Sequence, residues 1–253
     1  MIGGEADTAL IKKRFIELAR GSERGYFTFT DFLGLAEQSA FSEIIPEIRG
    51  IRYTAFGGVE GAERVMIRFG DEEEMGYSDP FPIVALHVKP RAPKFAEKLS
   101  HRDYLGALMS LGIERTEIGD IAVTDDGAIV FAKVDMADYI IRSLERIRHT
   151  DVSVLMTEAL PDTLYKTERI KIQAVGERID AVIAKVFRIS REESLALFRK
   201  QLVFINGRAC LNNSAIPKRN DKISVRGHGR FIYLGYETLS KKGKLNIEID
   251  VYV

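Results

Sequence analysis

The residues best placed to do chemistry are His101-Arg102-Asp103. In that order the triplet can open a phosphoryl-transfer loop, where the Asp takes a proton and an Asn five residues later holds a metal. Leu108 stands at the Asn position, no Gly-rich phosphate loop precedes the triplet and no Asp-Phe-Gly follows it. A helix start explains it better: Ser100 is a good N-cap, and Asp103 at the third helical position favours the positive end of the helix. The glycines between Gly57 and Val65 lack dinucleotide spacing and suit a turn. His87, His101, His149 and His228 show no ligand spacing, and the single Cys210 supplies no thiolate cluster. No Gly-x-Ser-x-Gly elbow occurs. The expectation is a protein with no catalytic residues, no metal and no cofactor.

A second set of residues points to anion binding. Residues 168–253 carry 17 Lys and Arg against 9 Asp and Glu, a net of +8, whereas residues 1–167 carry 20 against 28. The overall net charge of zero hides this asymmetry. Lys185 and Arg188 fall near the end of one expected helix. Arg191 opens the next, and Arg199 and Lys200 close it. A helix N-terminus beside an Arg suits a phosphate, because free amides and guanidinium point the same way. Arg208 follows the turn Asn206-Gly207, and Lys218, Arg219, Arg226 and Arg230 lie beyond it. Each alone is an ordinary solvent-facing charge. Together they suggest a nucleic-acid footprint that reads backbone and shape, since few exposed aromatics accompany them.

These residues need elements to hold them. In "RIDAVIAKVF", Ile179, Val182, Ile183, Val186 and Phe187 share a helical face. Ser190 and Glu193 form a capping box for a second helix ending near Gln201, with Leu195, Phe198 and Leu202 facing the core. "VFI", Asn206-Gly207 and "RAC" make a hairpin, and "DKISVRG" and "LNIEIDVYV" add strands. Upstream, "IVALHV", "SHRDYLGALMSLG", "IGDIAVT", "AIVFAKV", "DMADYIIRSLERI" and "VSVLMTEA" run βαββαβ, the ferredoxin-like order. RNA-recognition modules share that order but stack bases on inner-strand aromatics, and only Phe131 is available here. The first segment reads as a helix with Leu10, Ile11, Phe15 and Leu18 on one face. A second helix over "FTDFLGLAEQSAFSEII" is capped by Thr30 or Asp31, and two strands follow at "IRYTAFGG" and "RVMIRFGD". Asp71 to Pro82, acidic and then Gly- and Pro-bearing, reads as a linker. The expected organisation is α+β in three domains: 1–80, 81–166 and 167–253.

The stretch "ERIDAVIAKVFRISREESLALFRKQLVFING" with "NDKISVRG" resembles the alpha-L RNA-binding domain. Arg178 and Asp180 match the Arg-hydrophobic-Asp opening its first helix, Ser190 and Arg191 the Ser-Arg starting its second. Val203, Ile205, Asn206 and Gly207 match its Val-x-Val-Asn-Gly hairpin. Gln201 stands where the family has a helix-ending Gly, and Asn220-Asp221 where it has Gly-Asp. In the middle of the chain "HRDYLGALMSLGIERTEIGDIAV", and near its end "SVRGHGRF", resemble YlmH-type RNA-binding proteins, with an N-terminal, a ferredoxin-like and an alpha-L domain in that order. The resemblance implies that the His-Arg-Asp triplet is a family signature. It also implies a ribosome-associated factor acting where stalled large subunits carry peptidyl-tRNA. With Arg178 carried over, the expected RNA-binding set is Arg178, Lys185, Arg188, Arg191, Arg199, Lys200, Asn206, Arg208, Lys218 and Arg226.

The expected function is a non-enzymatic factor binding structured ribosomal RNA, with tRNA a second target, on the large ribosomal subunit. Two rivals stand beside it: an RNA-modifying enzyme of the pseudouridine synthase or methyltransferase kind, and a protein adaptor, linked to cell division, using the acidic half. No stretch reaches the roughly 18 apolar residues of a membrane span, and a lone Cys suits a reducing compartment. A cytoplasmic monomer without membrane contact is the expectation.

Overall fold

The computed structural model describes residues 5–158, 160, 165, 167–240 and 243–252. Contacts divide the chain into two units, Met1–Leu164 and Tyr165–Val253, the first holding both segments expected as N-terminal and middle domains.

The first unit begins with α1 (Glu5–Ser22), which buries Phe15 and Ala19 and packs Ile11 and Leu18 against the same core; of the expected face only Leu10, 68% exposed, lies outside it. The second helix is shorter than expected. Thr28–Phe29 is strand β1, and α2 spans Leu35–Ile44 with Gly34 at its N-cap. Thr30, expected to cap the helix, exchanges hydrogen bonds with Ile67 instead: its amide donates to the Ile67 carbonyl at 2.9 Å and its hydroxyl accepts from the Ile67 amide at 2.9 Å. Sheet pairing claims the backbone groups that a helix would have used. Strands β2 (Tyr53–Phe56) and β3 (Met66–Phe69) complete a three-stranded antiparallel sheet, order β1-β3-β2. The acidic run forms a helical turn, α3 (Glu72–Met75), capped by the Asp71 carboxylate and held by Arg52 at 3.0 Å from Asp71 and 3.1 Å from Glu73.

Next come β4 (Ile83–Pro90), α4 (His101–Ser110), β5 (Ile118–Thr124), β6 (Gly127–Lys133), α5 (Ala137–Ser143), β7 (Arg146–Ile147) and β8 (Thr150–Met156). Helix α5 stops before Leu144, short of the expected end. Arg146 and Ile147 turn back as an edge strand paired with Asp151 and Thr150, through Arg148 in a left-handed conformation. The sheet order is β5-β6-β4-β8-β7. One sheet face packs with α4 and α5 through residues such as Val130, Leu108 and Ile140. The other is covered by the N-terminal segment: Ile129 and Phe131 pack with Phe32 and Met66. Gly119 permits this approach, since an added Cβ would lie 2.7 Å from the Phe32 ring and 2.9 Å from Phe131. Phe131 is 1% exposed and offers no ring to a base.

The second unit opens with β9 (Thr167–Ala174), then α6 (Ile179–Val186), α7 (Arg191–Arg199), β10 (Val203–Ile205), β11 (Arg208–Ala209), β12 (Lys222–Val225), β13 (Gly229–Leu239) and β14 (Leu245–Tyr252). They form one antiparallel sheet, order β11-β10-β12-β13-β14-β9. Ile179, Val182 and Ile183 of α6 and Leu197 and Phe198 of α7 pack against Val203, Ile223, Phe231 and Ile247 of that sheet. Strands β9 and β13 are additions to the expected set.

Candidate nucleic-acid interface

The interface is assembled around a buried acid. Asp180, the second residue of α6, has no exposed side-chain surface. Its carboxylate accepts from Arg178 Nε at 3.2 Å and Nη2 at 3.1 Å, from Arg191 Nη2 at 3.0 Å and from the Ala181 amide at 2.8 Å. Its carbonyl accepts the buried Ser194 hydroxyl at 2.8 Å. One residue thus ties the start of α6 to the first turns of α7. Burial by itself would raise the Asp180 carboxyl, but the hydrogen bonds and charges of Arg178 and Arg191 outweigh it and hold the group below its ordinary 3.8. The two arginine side chains keep about half their surface open, 48% for Arg178 and 56% for Arg191.

Both helix ends are built as the sequence implies, with one backbone surprise. The Ser190 hydroxyl accepts from the Glu193 amide at 3.1 Å, and Glu193 accepts from the Ser190 amide at 2.7 Å. This closes the capping box and occupies two of the helix-end amides, those of Ser190 and Glu193, that were expected to face a phosphate. At the far end of each helix the chain turns in a Schellman arrangement: Ile189 N donates to the Ala184 carbonyl at 3.1 Å, and Leu202 N to the Leu197 carbonyl at 3.0 Å. Arg188 (φ 54°) and Gln201 (φ 54°) occupy the left-handed position where glycine is unstrained. Asn220, at the other family glycine, also has φ 70°. Both departures from the family pattern keep a left-handed turn.

Four of the ten expected residues line one cleft of about 690 Å³: Arg178, Lys185, Arg188 and Arg191. The other six do not line it. Arg199 and Lys200 are exposed at the opposite end of α7, and Arg208 is exposed on β11. Asn206 is occupied: its amide donates to Asp221 at 2.8 Å and its oxygen accepts from the Lys222 amide at 2.9 Å, which pins the hairpin turn. Lys218 is exposed, its backbone amide bound to Asp221 at 2.7 Å. Arg226 lies over the Phe204 ring at 5.8 Å. Asp180 was absent from the expected RNA-binding set; its signal was the Arg178-Ile179-Asp180 motif at the start of α6. Arg230 lies over the rings of Tyr165 and Tyr252 at 4.4 and 4.0 Å, two rings that meet edge to face.

The His101-Arg102-Asp103 triplet is a helix start. Asp103 accepts from the Ser100 amide at 2.8 Å and hydroxyl at 2.6 Å, and these bonds hold its carboxyl below the ordinary range. Burial pushes the Cys210 thiol up, away from the reactive thiolate. Among the described residues, no group of three or more His, Cys, Asp and Glu side chains could hold a metal ion, and no helix is long and apolar enough to cross a membrane.

Comparison with known proteins adds three findings. Residues 78–160 match a family described as "Putative RNA-binding domain in YlmH". Over 248 residues the chain is 29% identical to "Ribosome-associated protein quality control protein P2" of Bacillus subtilis (strain 168), covering 96% of this chain and 93% of that protein. A solved structure, "Cell division protein ylmH from Streptococcus pneumoniae", is 16% identical with a TM-score of 0.49, over 61% of this chain and 93% of that one.

Proposed function

We propose that the chain is a YlmH-type RNA-binding protein and a non-enzymatic factor gripping structured ribosomal RNA, and tRNA beside it, through its C-terminal unit. The observation that carries this reading is the convergence of Arg178, Lys185, Arg188 and Arg191 on one cleft, two of them fixed by Asp180 and half open. Cations held this way meet phosphates at a reduced ordering cost. The relative's name, a ribosome-associated quality control protein, supports a ribosome-linked role; the large subunit as its place and a cytoplasmic monomer as its form are part of the proposal. We read the C-terminal unit as an alpha-L module on the strength of its two capped helices and Asn206-Gly207 hairpin. The strand order β5-β6-β4-β8 supports a ferredoxin-like middle domain; a three-domain division at 80/81 and 166/167 is our reading beside the two compact units that the contacts give.

Titrating the protein with large-subunit ribosomal RNA at several salt concentrations tests the reading. Lys185→Ala with Arg188→Ala should weaken binding and lower the slope of log affinity against log salt by up to about two units, roughly one per lost phosphate contact. Arg199→Ala with Lys200→Ala tests the expected residues outside the cleft in the same units. Unchanged affinity and slope in the cleft variant would remove the cleft from the interface.

A further inference from the structure

We infer that the cleft of the C-terminal unit receives one unpaired nucleotide extruded from a structured RNA, its base on an apolar floor and its phosphate against the cationic rim. This rests on the RNA-binding reading above and names what the site recognises.

A surface that only tracks phosphates needs cations and no cavity. This one has both. Its volume of about 690 Å³ lies in the range of pockets that enclose a small organic ligand. The floor is Ala174, Val175, Gly176, Ala181, Ala184 and Ile189, all apolar or without a side chain. Most are small, which leaves a shallow shelf suited to a flat ring. Val175 is 88% exposed, a β-branched apolar side chain left open beside the rim at the end of β9. Above this floor stand four cations, and the one acid among them, Asp180, is buried beneath Arg178 and Arg191. The rim is therefore strongly positive, and an occupant joining a flat apolar body to a negative group complements it. A nucleotide does so.

The rim is also preorganised. Three hydrogen bonds of 3.0–3.2 Å to Asp180 fix the orientation of the Arg178 and Arg191 guanidinium planes, so that they can stack on a base or take a phosphate. Arg188 is held in a left-handed conformation that glycine would adopt without strain. An arginine kept at such a position puts a cation on the cleft at the expense of local conformational ease. Within a duplex a base shows only its edges to the grooves. An unpaired base offers its face, and that selects the extruded nucleotide over paired RNA.

The test uses the full chain and two hairpin RNAs of one sequence, one fully paired and one with a single bulged 2-aminopurine nucleotide. The protein should bind the bulged hairpin at least about ten times more tightly, a difference of roughly 1.4 kcal/mol, and its binding should quench the bulged base through stacking. Ala184→Trp, which fills the cleft, should lower affinity for the bulged hairpin to that for the paired one. Quenching in the unaltered protein needs no variant, so a misfolded Trp variant leaves the inference exposed to disproof. Equal binding of both hairpins without quenching would overturn the nucleotide pocket and leave phosphate binding standing. An unchanged preference in a folded Ala184→Trp protein would place the bulge contact elsewhere. Binding of neither hairpin, nor of ribosomal RNA, would remove the RNA reading of this unit and the pocket with it.

Discussion

Each unit of the molecule contains a cluster of two arginines and an aspartate, and the two clusters are used in opposite ways. In the first unit Arg64 donates to the carbonyls of Phe32, Arg115 and Ile118 at 2.9–3.0 Å, and Arg115 donates to those of Ile118 and Gly119 at 2.5 and 3.0 Å. Asp120 there accepts the backbone amides of Glu63 and Arg64 at 2.7 and 3.0 Å. Burial and the neighbouring Arg64 pull Arg115 down to about 10. These charges face inward and splice the N-terminal segment onto the middle sheet. In the second unit one carboxylate takes two donors from Arg178 and one from Arg191, and each guanidinium has five. Donors remain to face solvent. The difference lies in the acceptors: backbone carbonyls turned inward absorb an arginine, whereas a single buried carboxylate positions it.

The largest effect expected from this contrast is in the first unit. Arg64→Ala takes one donor from each of three carbonyls, of which Ile118 keeps Arg115, and should remove about 3–5 kcal/mol of stability, read by denaturant unfolding. A loss below about 1 kcal/mol would show that the splice is not structural. Such tight joining also bears on proteolysis: a cut between Asp71 and Pro82 that releases a stable 81–166 fragment would show that the N-terminal segment is dispensable to the middle sheet.

A smaller loss is expected from Asp180→Asn, because its two arginines are half in water and water takes over part of the lost bonding. About 2–3 kcal/mol of the C-terminal unit's stability should go, together with RNA affinity. The pH dependence has a definite sign. Since the folded carboxyl is held below 3.8, its contribution is complete above the unfolded value. It is lost as pH falls through the folded one. The stability gap between wild type and Asp180→Asn should stay level from neutral pH to about 5 and close below about 4. A gap persisting unchanged at pH 3 would deny the carboxylate its role.

The smallest effects separate structure from recognition most cleanly. Arg188→Gly and Gln201→Gly both relieve a left-handed residue at a helix end, and each should raise stability by about 0.5–1 kcal/mol. Only Arg188→Gly should weaken RNA binding, since Gln201 does not line the cleft. Equal RNA affinity for the two variants would mean that Arg188 faces solvent to no purpose.

The helices of the C-terminal unit were legible because their signals are local. Ser190 and Glu193 sit three residues apart, apolar positions repeat along α6, and Asn206-Gly207 both take positive φ in the turn between β10 and β11. The cations of the cleft were legible as a composition. What escaped was set by distant partners. Strand β1 exists because β3 lies beside it, against the helical pattern of its neighbours. Strand β13 was hidden by register shifts between Tyr233 and Gly235 and between Tyr236 and Thr238, which break the alternation that marks a strand. Strand β9 alternates Ile170, Ile172 and Ala174 but is paired only through β14, far along the chain. By itself the sequence determined where helices begin and turns close, and which residues bear charge, because each of these depends on groups within a few positions. Tertiary structure alone decided that Arg64 points inward and Arg191 outward, because the direction of a guanidinium is set by the acceptors that folding brings to it.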